Sequence, residues 1–449
     1  MRSNVIRATL CAMLLAFTQA AHALLPIQYW ETQRGARVYF VQNRDLPMLD
    51  VSVDFPAGAG FDTAERSGLA NMTAHMLRLG ATGMDEDDIA RRVADVGAQL
   101  SGRFDSDRAG VGLRTLSSVK ERQQALDILA RVLTQPAFPV NVLEREKVRL
   151  IGALREADTK PDTIAARTFA RRVYGSHPYG LRSSGEVETV SKITRDDLAA
   201  FHRAHYSAGR AVVALMGDVT REEAAAIAES LTAGLPAGDT VAAEIPAVPP
   251  LAKGETMWIT HHATQSHILV GAPGIRRNDP DYFPIFVGNH VLGGGGFTSR
   301  ITEEVRQKRG LAYSAYSYFS PMLREGLFVV GMQTQASQAG AALEVVRNTL
   351  AGFITEGPSA KELAAAKKNI IGGFPLRIDS NRKIHEYLAL IGFYRLPLKY
   401  LDEFTGNVER VTSEQIRAAF QRRIDTNRLI TVVVGPSDDK AASAAASPQ

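Results

Sequence analysis

Residues 67–77 have the spacing of a zinc-binding helix but lack the residues that bind zinc. In such a helix, two histidines four positions apart share one face and bind the metal. A glutamate directly before the second histidine polarises the bound water. The corresponding positions hold Asn71, Ala74 and His75 in this chain. Because asparagine is a poor zinc ligand and alanine can neither accept a proton nor orient water, the pattern predicts a helix with neither metal nor base.

The elements around this helix occur twice along the chain in the same order, which indicates a duplication. In the first half the pattern predicts, in order, strands at 37–41 and 49–55, a helix at 65–79, a strand at 110–114, a helix at 119–133 and a strand at 211–218. The second half repeats this order at 267–271, 284–292, 326–331, 337–354 and 429–435. Strands beside long helices predict an α+β fold made of two homologous α/β-layer domains.

The local amino-acid composition predicts where the domains begin and end. Residues 235–250 are rich in Pro, Ala and Gly and lack a helical period, which is typical of a linker. We therefore predict an N-terminal domain at 24–235, a linker at 236–252, a C-terminal domain at 253–436 and a disordered tail at 437–449.

The N-terminus has the features of a signal peptide. Arg2 and Arg7 precede an apolar run at 8–17, and Ala21-His22-Ala23 gives a small-x-small cleavage site. The run is too short to span a bilayer, and no later apolar stretch is long enough. We expect residues 1–23 to be cleaved and the chain to be periplasmic or secreted, with no membrane span after cleavage. An uncleaved anchor is the alternative.

Composition also excludes several function classes. The single cysteine, Cys11, lies in the predicted signal peptide, so the mature chain has no thiol for a disulfide, a zinc site or a nucleophile. The 449 residues are 45% hydrophobic and 22% charged, as in a soluble protein of two or more domains. The net charge of +4 is spread along the chain rather than clustered, so no nucleic-acid partner is expected.

Four stretches, taken together, make the chain resemble the pitrilysin/insulinase family of inverted-motif zinc metallopeptidases, which includes the mitochondrial processing peptidase. Each begins or ends with a recognisable group of residues. They are 67–82, which ends in Gly80-Ala81-Thr82; 177–198, which begins with His177-Pro178-Tyr179-Gly180; 201–218, which ends in Gly217-Asp218; and 292–313, which ends in Arg309-Gly310-Leu311-Ala312-Tyr313. The resemblance covers residues 25–435 and implies that the chain forms half of a clamshell chamber.

The resemblance also identifies what this chain has lost. Active members draw a third zinc ligand, a glutamate, from a later helix, and that position is Ala153 here; an acidic residue that supports the ligand falls on Glu146. Asn71, Ala74 and Ala153 thus replace two ligands and the base. His75 alone cannot hold zinc, so we expect no cofactor in this chain.

A second part of the family's site is retained. Its members carry an Arg and a Tyr seven residues apart in the C-terminal domain, and Arg306 and Tyr313 have that spacing. We predict a helix from Phe297 to Arg309, a left-handed cap at Gly310 and an extended segment after it, which would bring the two side chains together. Both are donors suited to a carbonyl oxygen that becomes an oxyanion. Without the resemblance, they would be a surface arginine and an ordinary strand aromatic.

The resemblance therefore implies a pseudoenzyme, a non-catalytic subunit of an exported heteromeric zinc metallopeptidase. We expect a heterodimer with a zinc-binding subunit of the same family, and extended peptides as substrate, bound by strand addition. Two alternatives remain open: a structural or interaction protein without a role in peptide hydrolysis, and a single-chain peptidase with a different zinc site. No second zinc-binding helix motif occurs in the sequence to support the latter.

Overall fold

The computed structural model describes residues 26–236 and 244–436. The predicted signal peptide, part of the predicted linker and the predicted tail lie outside the described residues. In the described part of the linker, residues 244–252 contain no helix or strand, and Ile245 is buried. None of the helices described is long and apolar enough to cross a membrane.

The first half contains eight strands and eight α-helices within the described residues. The strands are β1 Gln28–Glu31, β2 Arg37–Gln42, β3 Met48–Phe55, β4 Gly80–Ala81, β5 Met84–Asp85, β6 Gln99–Phe104, β7 Ala109–Leu116 and β8 Val212–Gly217. The helices are α1 Leu69–Met76, α2 Glu86–Asp95, α3 Val119–Thr134, α4 Val140–Ala157, α5 Pro161–Tyr174, α6 Val187–Ser191, α7 Arg195–His205 and α8 Arg221–Ala233.

The second half repeats the order of the main elements. Its strands are β9 Glu255–Thr260, β10 Gln265–Pro273, β11 Ala312–Phe319, β12 Leu327–Gln335 and β13 Ile430–Gly435. Its helices are α9 Tyr282–Asn289, α10 Arg300–Thr302, α11 Ala339–Glu356, α12 Ala360–Gly373, α13 Asn381–Tyr394, α14 Tyr400–Arg410 and α15 Ser413–Arg423. Two π-helical segments, His290–Gly294 and Glu303–Gln307, directly follow α9 and α10.

The two main sheets have matching topologies. The first has the order β1-β2-β8-β3-β7-β6 and the second β9-β13-β10-β12-β11. In each, one pair is parallel, β2 with β8 and β9 with β13, and the other pairs are antiparallel. Edge strand β6 thus corresponds to edge strand β11. This match confirms the predicted α+β class and its two homologous domains.

The two halves exchange a helix across their sheets. Helix α5 of the first half packs on β10 and β13, where Phe169 belongs to one buried cluster with Val432 and Val434. In return, α13 of the second half packs on β2, β3 and β8, where Leu388 shares a core with Val212. Both helices directly follow the second long helix of their half, so the exchange is reciprocal.

The side chains of the first sheet point alternately to its two faces, which makes this exchange possible. Successive residues of a strand point to opposite faces. On β8, Val213 and Leu215 belong to the core of the first half, whereas Val212 and Ala214 belong to the core that contains α13. All four are fully buried, so the strand has no solvent-facing side. Helix α13 is therefore an integral part of the first domain's packing.

A buried carboxylate also joins the halves. Asp107, in the turn between β6 and β7, is 1% exposed. It accepts hydrogen bonds from the hydroxyls of Tyr179 and Tyr394 and, at 2.8 Å, from the backbone N–H of Leu323. Burial raises the pKa of Asp107, and these three donors act against that rise. Because Tyr179 belongs to the first half and the other two donors to the second, the carboxylate ties the domains together.

Three predicted helices have different boundaries in the structure. The helix predicted at 65–79 is only α1, because Gly68 has a φ of +93° and interrupts it. The helix predicted at 284–292 begins at Tyr282 and continues beyond Asn289 as a π-helical segment. The helix predicted at 297–309 is broken at Ser299, whose backbone is extended, and its remainder is α10 followed by the second π-helical segment.

The close contact of α13 with the first sheet can be tested at Gly392. A Cβ added there would lie 2.6 Å from Cγ1 of Val212 and 2.7 Å from Cδ2 of Tyr39. We predict that Gly392→Ala lowers the free energy of unfolding by about 1–3 kcal/mol, because the helix must move off the sheet. Denaturation by urea measures the change.

Gly352→Ala is the matched control. Gly352 lies inside α11, and no other atom of the described residues approaches an added Cβ there within 4 Å. Since alanine favours a helix more than glycine does, this variant should gain about 0.5–1 kcal/mol. Equal stability of the two variants would show that α13 does not pack closely on the sheet.

Candidate functional site

Helix α1 carries the degenerate zinc-motif positions. Asn71 and His75, one turn apart, are both partly exposed, whereas Ala74 is 4% exposed. Residues four apart on a helix lie on the same face, so the side chains of Asn71 and His75 are neighbours. An amide and an imidazole therefore occupy the positions of two zinc-binding imidazoles, and a methyl group occupies the position of the base.

The start of α1 is fixed by two residues that the sequence pattern does not single out. Gly68 precedes the helix, and a Cβ added there would lie 2.8 Å from the backbone of Gly185, so only glycine fits. The buried carboxylate of Asp62 accepts hydrogen bonds from the N–H groups of Gly68, at 2.8 Å, and Ala70, at 2.9 Å. Burial raises the pKa of Asp62 to about 7, although both hydrogen bonds oppose the rise.

His75 contacts the retained acidic residue of α4. Its Nε2 lies 3.0 Å from Oε2 of Glu146, which is 5% exposed. Arg145 and Arg149 donate to the other carboxylate oxygen, at 2.8 and 3.2 Å. Burial alone would raise the pKa of Glu146, but the hydrogen bonds from His75 and Arg145 outweigh it and leave that pKa below its usual value. The imidazole is thus held by an anion that also accepts hydrogen bonds from two arginines.

Ala153 lies two turns after Glu146 on α4 and is exposed. Positions seven apart in a helix lie on nearly the same face, so Ala153 and Glu146 point in similar directions. In the part of the chain that the structure describes, no group of three His, Cys, Asp or Glu residues could hold a metal ion. His75 and Glu146 are therefore not part of such a group of three.

The structure brings Arg306 and Tyr313 together. The guanidinium carbon of Arg306 lies 4.8 Å from the centre of the Tyr313 ring and 4.8 Å from that of Phe297, an arrangement that gives cation–π attraction. Tyr313 is 82% exposed and Phe297 is 66% exposed. The guanidinium is therefore held between two aromatic rings at the surface of the molecule.

The charged neighbours of Arg306 pair with one another. Glu304 forms salt bridges with Lys308 and Arg309, and Glu303 forms one with Lys308. No carboxylate of the described residues forms a salt bridge with Arg306, and its guanidinium makes no hydrogen bond within them. Its N–H groups are consequently available to an acceptor from outside the chain.

A β-bulge directs Tyr313 away from the sheet. Ala312 pairs with Thr334 and Ser314 with Gln333, so Tyr313 is the extra residue of β11. Gly310, with a φ of +61°, turns the chain from the π-helical segment into this strand, which confirms the predicted left-handed cap. Bulges commonly redirect a side chain at functional sites, and the exposure of Tyr313 follows from this one.

The two parts of the candidate site remain separate within the chain. His75 meets Glu146, and Arg306 meets Tyr313. No hydrogen bond, salt bridge or aromatic contact joins these pairs within residues 26–236 and 244–436. Asn71 and Ala74 likewise make no side-chain hydrogen bond within those ranges. Within the described residues, the structure therefore keeps these two pairs of side chains apart.

The duplicated layers, the exchanged helices and the altered zinc helix define a peptidase-like protein of two homologous domains. The chain belongs to the M16, or insulinase, family of peptidases. Residues 37–185 match the family model described as "Insulinase (Peptidase family M16)", and residues 192–370 match the one described as "Peptidase M16 inactive domain". The predicted family resemblance is thereby confirmed.

Known relatives cover nearly the whole chain. Similarity to the M16 peptidase inactive domain of Pseudomonas fluorescens reaches 36% identity and a TM-score of 0.89, over 92% of this chain and 98% of that one. The chain is 24% identical over 415 residues to "Uncharacterized zinc protease YmxG" of Bacillus subtilis, covering 92% and 98% of the two chains. It is 25% identical over 406 residues to "Non-peptidase homolog YmxG" of Helicobacter pylori, covering 90% and 92%. The chain is an inactive M16-like member of the family.

The altered zinc helix predicts how much metal the protein holds. Because His75 is the only motif ligand left, the purified chain should retain far less than one zinc ion per molecule after dialysis. Elemental analysis measures this directly. One tightly held zinc ion per chain would contradict the reading of Asn71 and Ala153 as lost ligands.

Restoring the motif provides a comparison. The triple variant Asn71→His, Ala74→Glu and Ala153→Glu supplies two ligands and the base and, with His75, completes three ligands, so its zinc content should rise above that of the natural chain. Asn71→His alone is the matched control, because two nitrogens without a third ligand bind zinc poorly. The control should remain close to the natural chain.

Proposed function

We propose that this chain is the non-catalytic subunit of an exported heteromeric zinc metallopeptidase. Its partner is a zinc-binding subunit of the same family, and the two form a heterodimer that hydrolyses extended peptides. This chain contributes Arg306 and Tyr313 to the partner's zinc site. The observation that carries the proposal is the contact of a surface guanidinium, which has no salt bridge within the described residues, with an 82% exposed tyrosine.

The chemistry of the pair supports this role. A zinc ion and base in the partner would supply the attacking water. In this chain, the hydroxyl of Tyr313 and the N–H groups of Arg306 would donate hydrogen bonds to the peptide carbonyl oxygen. Their interaction strengthens as that oxygen gains negative charge, because charge-assisted hydrogen bonds are stronger than neutral ones. The pair would therefore stabilise the transition state more than the bound substrate.

The sheet edges support an extended substrate. Strands β6 and β11 are edges of their sheets, and an edge strand offers unpaired N–H and C=O groups to an added strand. Tyr313 lies at the start of β11. A peptide that runs along this edge would present its carbonyl groups beside the Arg306 and Tyr313 pair.

A structural or interaction role without peptide hydrolysis is the second candidate. It draws support from the relative named "Non-peptidase homolog YmxG", which is similar over 90% of this chain. A purely structural subunit has no need of an exposed tyrosine against an arginine that has no salt bridge within the described residues. The two candidates therefore differ in what they predict for variants of this pair.

The first test is the kinetics of a reconstituted heterodimer with a family member that retains the zinc helix. Tyr313→Phe removes one hydroxyl and should lower kcat by about 10²–10³, or ~2–4 kcal/mol, as removal of an oxyanion donor does. Arg306→Ala should have a similar effect, and kcat should fall more than KM rises. The double variant should cost less than the sum of the single variants if both groups act on one oxygen.

Two further variants control this test. Tyr29→Phe removes a hydroxyl from β1, the opposite edge of the first sheet from β6, and should leave kcat unchanged. Arg306→Lys keeps the charge without the planar fork and should recover only part of the activity. Full activity in both Tyr313→Phe and Arg306→Ala, with assembly intact, would favour the structural role.

The proposed export has its own test. The residues at 1–23 predict cleavage after Ala23, which leaves Leu24 as the mature N-terminus. N-terminal sequencing of the protein from fractionated cells should find Leu24 in the periplasmic or secreted fraction. Recovery from the cytoplasm with Met1 intact would refute export.

A further inference from the structure

A cavity of about 500 Å³ lies between the two halves, away from the Arg306 and Tyr313 pair. The turn between β6 and β7 contributes Asp105 and Arg108 to its wall, and the segment after β10 contributes Arg277. Helices α9 and α13, the end of β11 and the segment that follows it also contribute lining residues. Tyr318 at its edge is five residues beyond Tyr313, roughly 16 Å along an extended strand.

Two arginines of the cavity have buried donors without partners. Nε of Arg277 and Nη1 of Arg108 are both buried, and neither has a hydrogen-bond acceptor among the described residues. A buried N–H without an acceptor is unfavourable, and an anion in the cavity would offset part of this cost through its attraction to the guanidinium charges. The two arginines come from different halves of the chain, so one ligand could contact both domains.

Aromatic rings hold Arg277 in place. Its guanidinium carbon lies 5.2 Å from the centre of the Tyr394 ring and 5.8 Å from that of Tyr282. No carboxylate of the described residues forms a salt bridge with Arg277. Arg108 pairs with Asp105 at 2.8 Å, which neutralises one positive charge and leaves that of Arg277. The cavity therefore has a net positive charge and favours an anion.

The rest of the wall has an apolar part beside the polar residues Ser106, Asn289 and Ser320. Ile285, Phe286, Phe319, Met322 and Leu390 line it. A bare inorganic anion would leave this surface uncovered, whereas a carboxylate attached to an apolar side chain would use both parts of the wall. A planar guanidinium also matches the two oxygens of a carboxylate.

We propose that this cavity binds the C-terminal carboxylate of a peptide whose last residue is aromatic or branched apolar. The cavity is lined by Asp105, directly after edge strand β6, and by Phe319, the last residue of edge strand β11, so a peptide added parallel to either edge would bring its C-terminus there. Because the ligand is the C-terminus of a peptide, this proposal rests on the peptide-binding function proposed above. It concerns a second site, distinct from the Arg306 and Tyr313 pair.

Calorimetric titration of the purified full chain, without a partner subunit, tests the inference. N-acetylphenylalanine carries a carboxylate and a ring, its amide derivative carries only the ring, and N-acetylglycine carries only the carboxylate. We expect N-acetylphenylalanine to bind at least about tenfold more tightly than either of the others. Equal binding of the amide would refute the carboxylate site, and equal binding of N-acetylglycine would refute the apolar part.

Variants then locate the site. Arg277→Gln should abolish the preference for the carboxylate over the amide, whereas Arg276→Gln, the exposed neighbour that does not line the cavity, should retain it. Thermal denaturation shows whether Arg277→Gln remains folded. The comparison of N-acetylphenylalanine with its amide and with N-acetylglycine uses the natural chain and does not depend on that variant. An unchanged preference in Arg277→Gln would overturn the assignment.

A further probe identifies the source of the carboxylate. The α-amide of N-acetylaspartate carries an acidic side chain but no C-terminal carboxylate, and it should bind at least about tenfold more weakly than N-acetylphenylalanine. Equal binding would overturn the assignment to a peptide C-terminus. Because no hydrolysis is measured, failure of these titrations leaves the kinetic test of Arg306 and Tyr313 unaffected.

Discussion

The packing of α5 on the second sheet and of α13 on the first is the constraint on which the other features depend. Each helix buries large side chains against the opposite half, and complete burial of one such side chain is worth about 1.5–3 kcal/mol. Glycines allow the close approach: Gly271 of β10 faces Phe169 of α5, and Gly392 of α13 faces Tyr39 and Val212. Neither half can cover its own sheet without the other, so the two domains must fold as one unit.

This exchange also fixes the position of the chemically important side chains. The turn that holds Asp107 lies between the halves, and its contacts with Tyr179 and Tyr394 join the first half to α13. Tyr313 lies at the start of edge strand β11. In the first half, by contrast, α1 retains the position of a zinc helix while His75 is held by Glu146. Helix α1 thus keeps its packing in the first domain with Asn71 and Ala74 at the motif positions.

The sequence predicts much of the fold because strands and long helices leave strong patterns. The duplicated order, strand β8 and helix α3 are all visible in it. Edge strand β6 is missed, because its residues alternate weakly between polar and apolar types and half of them are exposed. The bulge at Tyr313 and the π-helical segment that contains Arg306 depend on tertiary pairing, which no local pattern encodes.

The central claim is that a complete peptidase site forms only when this chain meets a zinc-binding partner. Titration of a zinc-loaded family member with this chain, while peptide hydrolysis is followed, tests the claim most directly. We expect no hydrolysis by either protein alone. In the mixture, the rate of peptide hydrolysis should rise until one molecule of this chain has been added per molecule of the zinc-loaded partner. A partner that hydrolyses the peptide equally fast with and without this chain would contradict the account.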